Sequence, residues 1–309
     1  MGHHDGMLLI PTQSASGWRR HRGLRLVVAA LALLGLASAV SVTQSVVSER
    51  SVAAAREVTV ATWNMCGVQQ WGCADTGSRS EKNRQLKRLA TRAGARVILV
   101  QEICAADLKA TRKALGSSWR SSFKAYTWRD SNGRKSTVRC TARDQGAAGF
   151  GILSDSALSE VTAVASQQPT VGLQRGILCA TVAAHRIRIC NAHLSPPGSD
   201  TAHPEWEFRD DQLKALVGAA SGRRTVYGGD LNVDPPEDGS PSAWVWPAGP
   251  YSAYRECDQS SASSRSGRPT HSSGHKLDYL FTRLPRSGCD VRDTGASDHR
   301  ALLIRVRTA

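Results

Sequence analysis

Apolar and polar positions alternate over Val58–Trp63, a period of two that predicts a strand with one buried face. From Ser78 to Gly94 the period becomes helical. Leu86, Leu89, Ala90 and Ala93 share one face, and Ser78 with Glu81 fits a capping box. Arg96–Val100 is a short apolar run of the kind found in buried strands. Gly149–Ser154, Ile177–Ala183 and Ile187–Ala192 predict further strands, and Glu205–Ala220 a helix with Trp206, Leu213, Leu216 and Val217 turned inward. Arg224–Gly228, Leu277–Thr282 and Ala301–Val306 supply the last strands. Strands alternate with helices early and form hairpins later, so an α/β or α+β domain with parallel and antiparallel pairing is expected. Residues 105–146 and Gln259–Lys276 are expected to be long loops. The second is Ser-rich, contains Gly267, Pro269 and Gly274, and is expected to be mobile.

The first fifty residues stand apart. Trp18–Arg25 is a basic flank, and Leu26 to Val42 runs 17 residues without a charge. That length is marginal for spanning a bilayer and long for the core of a signal peptide. Ala37-Ser38-Ala39 offers a cleavage site. The basic flank would stay cytoplasmic, so either a cleaved export signal or an uncleaved anchor places the rest of the chain outside. Residues 1–50 are therefore read as targeting or anchoring segment and linker, and residues 51–309 as the folded domain.

Cysteine usage agrees with export. All eight cysteines lie beyond residue 50, and no Cys-x-x-Cys pair points to structural zinc. Cys179 and Cys190 are symmetric about Ala184-His185, the centre of a predicted hairpin, so they would face each other across an antiparallel pair. Cys66 with Cys73 would staple the loop after the first strand. Cys104 with Cys140 and Cys257 with Cys289 complete that set.

Most of the isolated polar residues sit at the ends of apolar runs. In order they are Thr62-Trp63-Asn64, Gln101-Glu102, Asn191-Ala192-His193, Gly229-Asp230-Leu231-Asn232, Leu277-Asp278-Tyr279 and Ser297-Asp298-His299. Carboxylates, amides and histidines delivered by separate strand ends suit a divalent-metal phosphoesterase. Oxygen donors of this kind select a hard cation, Mg2+ or Mn2+. No Gly-x-Ser-x-Gly elbow or Cys–His pattern supports a covalent hydrolase. From Glu57 to Arg307 the order and wording of these motifs resemble the endonuclease/exonuclease/phosphatase superfamily. The resemblance implies a four-layer α/β sandwich of the DNase I-like kind: two packed mixed sheets, helices outside, and the site at one end.

Within that resemblance Glu102 and Asn64 are expected to bind metal, with Asp298 as a second carboxylate beside it. Asp230 matches a residue assigned to water activation or metal binding, and Asn232 one that holds phosphate. If extended, the two point to the same side. Asp278 and His299 form the expected acid–histidine pair, in which a buried carboxylate orients and stabilises an imidazolium. His193 matches a histidine that assists the leaving group, and Arg175 is placed to meet a phosphate. Two departures bear on substrate choice. His271, after Arg268-Pro269-Thr270, stands where relatives often carry an aromatic residue. The loop holding Cys66 and Cys73 crowds the first metal motif.

Charge narrows the substrate. The chain carries +14, of which residues 1–50 account for +3. Residues 105–146 alone carry +7, interleaved with Trp119, Phe123, Tyr126 and Trp128. Such a mixture suits phosphate contacts and stacking on bases, so a DNA or RNA endonuclease is the preferred reading. The rival reading of that segment is a surface helix and strand whose aromatics are core. The alternative enzyme is a sphingomyelinase-like phosphodiesterase or inositol-phosphate phosphatase, with Trp244 and Trp246 in an aromatic hairpin that meets lipid. Nothing calls for an obligate protein partner, and a monomer is expected.

Overall fold

The computed structural model describes residues 57–73 and 75–308. The expected signal or anchor lies outside them. Among the described residues, no helix is long and apolar enough to cross a membrane.

Alternation along the first strand sorts its side chains between two layers. Val58 and Val60 enter one apolar cluster, whereas Ala61 and Trp63 enter another. The chain runs β1 (Glu57–Asn64), α1 (Arg79–Thr91), β2 (Ala95–Cys104), α2 (Ala105–Leu115), β3 (Arg120–Ala125), β4 (Thr127–Arg129), β5 (Lys135–Thr137) and β6 (Ala148–Ser154). It continues through β7 (Leu158–Val164), β8 (Gly172–Gln174), β9 (Gly176–Val182), β10 (Ile187–His193), α3 (Arg209–Ala219) and β11 (Thr225–Asp230). The last elements are α4 (Pro250–Ala253), β12 (Arg255–Glu256), β13 (Asp278–Thr282), β14 (Arg286–Arg292) and β15 (Ala301–Arg307).

Two six-stranded sheets result, ordered β14-β15-β1-β2-β6-β3 and β12-β13-β11-β10-β9-β7, with a small third sheet β5-β4-β8. The central cluster draws Val60, Leu99 and Ile304 from the first sheet and Ile189, Val226 and Leu280 from the second. A second cluster packs Leu86 and Leu89 of α1 and Leu108 of α2 on the outer face of the first sheet. A third packs Leu213 and Leu216 of α3 on the outer face of the second. This is the mixed-sheet sandwich expected. Burying both faces of each sheet explains why β1 and β2 hold so few exposed positions.

Parallel pairing occurs where it matters for the site. β1 runs parallel to β2, and β10 parallel to β11, so all four end on one side. β13 and β15 run antiparallel to them and start there, with Asp230 paired to Asp278. Gly228 and Gly229 admit β11 into this place. A Cβ on Gly229, at φ +129°, would stand 1.9 Å from the Ala192 carbonyl oxygen.

The four expected disulfides are present: Cys66–Cys73, Cys104–Cys140, Cys179–Cys190 and Cys257–Cys289. Cys179 and Cys190 are direct partners in the β9–β10 register. The Ser78–Glu81 capping box also forms.

Several expectations are corrected. Residues 105–146 are not a loop: α2, β3, β4 and β5 occupy much of them, and their short, half-exposed strands leave only a faint period. Trp119 and Tyr126 are buried as core, and only Trp128 of the four aromatics is exposed. The helix expected from Glu205 begins at Arg209, because the Glu207 carboxylate accepts the backbone N–H groups of Phe208 and Arg209. Trp206 stays outside it, stacked on His203. Residues 259–276 lack a regular element but are tied down by Arg268 to Asp258 and by Lys276 to Glu256. Trp244 and Trp246 do not form an aromatic hairpin. Trp246 packs edge-on against Tyr251 and Tyr279 and donates its indole N–H to the Asp234 carbonyl, leaving Trp244 exposed alone.

Candidate active site

The ends of β1, β2, β10 and β11 and the starts of β13 and β15 bring the motif residues together. Glu102 does not follow the end of its strand as expected. β2 continues to Cys104 and bulges, losing register with β6 between Val100 and Ile103, and Glu102 adopts φ 50°. A bulge re-aims a side chain without ending the strand. Here it turns the carboxylate toward Asn64. Below it, Gln101 Nε2 donates to Asn191 Oδ1 at 2.7 Å, while Asn191 Nδ2 donates to the Gly151 and Val100 carbonyls. This buried amide pair joins the two sheets directly beneath the site.

Asn64 presents its donor end. Nδ2 donates to Glu102 Oε1 at 3.2 Å and to Asp230 Oδ2 at 3.0 Å, and Oδ1 accepts the Cys66 backbone N–H. Asn64 thus bridges two carboxylates through its amide nitrogen, with its oxygen turned to the Cys66 N–H. Burial pushes the Glu102 pKa up to about 6 despite the charges of Arg175 and His299 and the Asn64 hydrogen bond. Burial also raises the Asp230 pKa, against the pull of His299.

His299 Nδ1 lies 2.8 Å from Asp278 Oδ2, the expected acid–histidine pair. Burial works against charge on this ring, but Asp278, Asp230 and Asp298 outweigh it and push its pKa up to about 10. Its Nε2 faces Asp230 Oδ2 at 3.8 Å. Thr270 Oγ1 accepts the backbone N–H groups of Leu277 and Asp278, and Trp63 Nε1 donates to the His299 carbonyl.

His193 behaves oppositely. Burial, then the charges of Arg175 and His299, hold its pKa well below the ordinary histidine range. The Glu102 backbone N–H donates to the Tyr126 hydroxyl, which lies 2.6 Å from His193 Nδ1. A neutral ring makes Nδ1 the acceptor of the hydroxyl proton. Nε2–H then faces Asp230 Oδ2 at 3.4 Å and Glu102 Oε1 at 3.9 Å.

Asp298 lies on the more open side. Its Oδ1 accepts from Ser297 Oγ, and its Oδ2 is 3.4 Å from His271 Nε2. Asn232 is in a left-handed turn at φ 52°, its N–H bonded to Asp230 Oδ1 and its Nδ2 to the Leu194 carbonyl. The pair is thus an Asx turn rather than an extended dipeptide. Arg175 stands near enough for its charge to act on both Glu102 and His193, with Nε buried and unpartnered.

The donor set fits a hard divalent cation. Glu102 is a carboxylate that burial pushes toward its neutral form even beside Arg175 and His299, and other oxygen donors stand near it. Groups close enough to share an ion are Asp230–Asp278–His299, His271–Asp298–His299 and Cys66–Cys73–Glu102. The last is spent, because its sulfurs form a disulfide.

The Endonuclease/Exonuclease/phosphatase family model matches residues 61–299. The chain belongs to this family. It is thereby a metal-dependent phosphoric ester hydrolase of a family that includes nucleases and phosphatases. Among solved structures, the human Nocturnin catalytic domain is 16% identical, with a TM-score of 0.59 over 82% of this chain and 95% of that one. D. rerio TDP2, solved with a single-strand DNA product, is 16% identical, with a TM-score of 0.55 over 82% and 99%. ANGEL2, a 2′,3′-cyclic phosphatase, is 13% identical, with a TM-score of 0.51 over 82% and 95%. At these identities the likeness is one of fold. No curated protein sequence matches the chain.

Three residues that support this site are not legible in the sequence. There Tyr126 falls among stacking aromatics, Thr270 stands only as a neighbour of His271, and Lys82 passes unmarked. Lys82 is buried, and burial lowers its pKa to about 8. Its Nζ donates to the carbonyls of Met65, Thr76 and Ala296 and to the Thr76 hydroxyl, fastening the loop after β1 to the one before Asp298. A lysine on the inner side of a helical pattern is the available signal.

Proposed function

We infer that this enzyme is an exported, Mg2+- or Mn2+-dependent phosphodiesterase that hydrolyses DNA or RNA. The observation that carries the chemistry is the contrast between its two histidines. His299 is held charged by Asp278, while His193 is held neutral with Nε2–H turned toward the carboxylates. Groups pushed apart in this way take different tasks, here a charged donor and a neutral one.

In this reading Glu102 would hold the cation, with Asn64 fixing its carboxylate and Asp298 adding a second carboxylate from the more open side. When bound, the cation neutralises charge on the phosphate and the departing oxygen. Charged His299 cannot take a proton near neutral pH, so it donates Nε2–H to a phosphate oxygen. Asp230, raised by burial and facing both histidines, accepts the proton of the attacking water. His193 hydrogen-bonds the leaving oxygen through Nε2–H without giving up that proton, and the departing oxygen takes its proton from solvent. Arg175 and the free amide hydrogen of Asn232 hold the phosphate.

Nucleic acid is favoured by the overall charge of +14 and by a TDP2 structure of the same fold that carries a single-strand DNA product. The lipid-directed alternative is weakened because Trp246 is half-buried against Tyr251 and Tyr279, so the pair expected to meet lipid presents only Trp244. Four disulfides support an oxidising, extracellular setting. Glu102→Gln and His299→Ala test the assignment. Each is expected to cut plasmid turnover at least a hundredfold with the circular dichroism spectrum unchanged. Wild-type rates in both would overturn it.

A further inference from the structure

Edge strands β3 and β7, one from each large sheet, lie against each other, and β4, β5 and β8 bridge the same flank. A cleft of about 290 Å3 opens there, lined by Lys124, Lys135 and Arg175 among others, with no carboxylate in its wall. None of the three cations forms an ion pair among the described residues.

The cleft adjoins the catalytic centre through Arg175 and Gly176. Lys124 and Thr127 flank the Ala125-Tyr126 step, and the Tyr126 hydroxyl holds His193. Arg175 immediately precedes Gly176, the register partner of His193. Its Nε is buried without a partner, and its charge reaches Glu102 and His193. One phosphate at the catalytic centre needs only the inner cation. Lys124 and Lys135 continue the positive charge away from it. Gln168 lines the same wall with Oε1 buried and unpartnered. A phosphate offers that acceptor no hydrogen, whereas a sugar hydroxyl or a base N–H does.

We propose that this cleft binds the nucleotides flanking the scissile phosphate of a single strand, with Lys124 and Lys135 on their phosphates and Gln168 Oε1 on a sugar or base donor. The proposal rests on the nuclease reading and deepens it. It assigns the substrate as a strand with at least one phosphate beyond the bond that is cut.

The test uses the full chain and the Lys124→Ser/Lys135→Ser double variant. The readout is the ratio of kcat/KM for a pentathymidylate to that for the dinucleotide dTpdT, in Mg2+. Because it is internal to each protein, a reduced folded fraction cancels. A ratio of tenfold or more is expected in the wild type, and the double variant should lower it at least fivefold. The slope of log KM against log salt should also flatten by about 0.7 for each phosphate that the double variant no longer neutralises. An unchanged ratio and slope would overturn the proposal. Anisotropy of a labelled pentathymidylate in EDTA separates the two ideas. Binding weakened by the double variant without any nucleotide turnover would keep the cleft and sink the nuclease reading. Binding equal in both proteins, or displaced by anionic vesicles but not by unlabelled strand, would sink the cleft.

Discussion

The Tyr126 hydroxyl lies 2.6 Å from Nδ1 of His193, and this contact decides which nitrogen faces the carboxylates. The hydroxyl already accepts the Glu102 backbone N–H, so its own proton is free to be donated to the ring. One phenol thereby couples the bulge that carries Glu102 to the tautomer of a histidine on the opposite sheet.

Tyr126→Phe removes that donor while leaving the ring packed against Trp71 and Phe150. A stability loss of about 1–3 kcal/mol is expected from the unsatisfied Nδ1. Turnover should fall, but by less than the roughly 10²–10⁴-fold that a general acid or base itself contributes, because His193 remains in place. Nitrogen NMR should show His193 shifting toward the other tautomer. An unchanged tautomer would refute this coupling.

His299 makes stability depend on pH. Its folded pKa, about 10, lies above the unfolded value of about 6.5. Its contribution is therefore fully present below pH 6.5 and is lost as pH rises toward 10. Urea unfolding in EDTA should show this decline in the wild type. In Asp278→Asn the decline should shrink and shift to lower pH, and the His299 titration seen by NMR should move down with it.

The disulfides should separate stability from activity. Cys104–Cys140 closes a span of 36 residues and Cys66–Cys73 one of 7, so chain entropy assigns them about 4 and about 2 kcal/mol. Yet Cys73 Sγ sits 3.5 Å from Glu102 Oε2, and the Cys66 N–H holds Asn64. Replacing Cys66 and Cys73 by Ser should therefore cost more turnover and less stability than replacing Cys104 and Cys140. Thermal melts and initial rates on the two double variants check the reversal.

What the sequence revealed follows from what period and position can encode. Strand alternation and the Cys179–Cys190 symmetry are local, and both appear in the β9–β10 register. The motif residues were legible because strand ends in a sandwich share one side. Residues whose role depends on contacts far along the chain were not. The Tyr126 hydroxyl meets a ring 67 residues away, and Lys82 ties loops 17 and 214 residues distant. Orientation was hidden too. Asn64 turns its amide hydrogens to Glu102 because the Cys66 N–H claims its oxygen, and Asn232 enters a left-handed turn. Trp244 and Trp246 differ in exposure because Trp244 lies within a short 3₁₀ turn and Trp246 directly after it, which a two-residue spacing does not betray.

The most direct test of the nuclease reading is turnover by the full chain, disulfides intact, in Mg2+ or Mn2+ and then in EDTA. Plasmid DNA, RNA, sphingomyelin vesicles and inositol phosphates would be offered in parallel. Metal-dependent nicking of plasmid or cleavage of RNA, abolished by EDTA, is the expected result. Turnover confined to vesicles or inositol phosphates, or cleavage of nucleic acid that persists in EDTA, would contradict it.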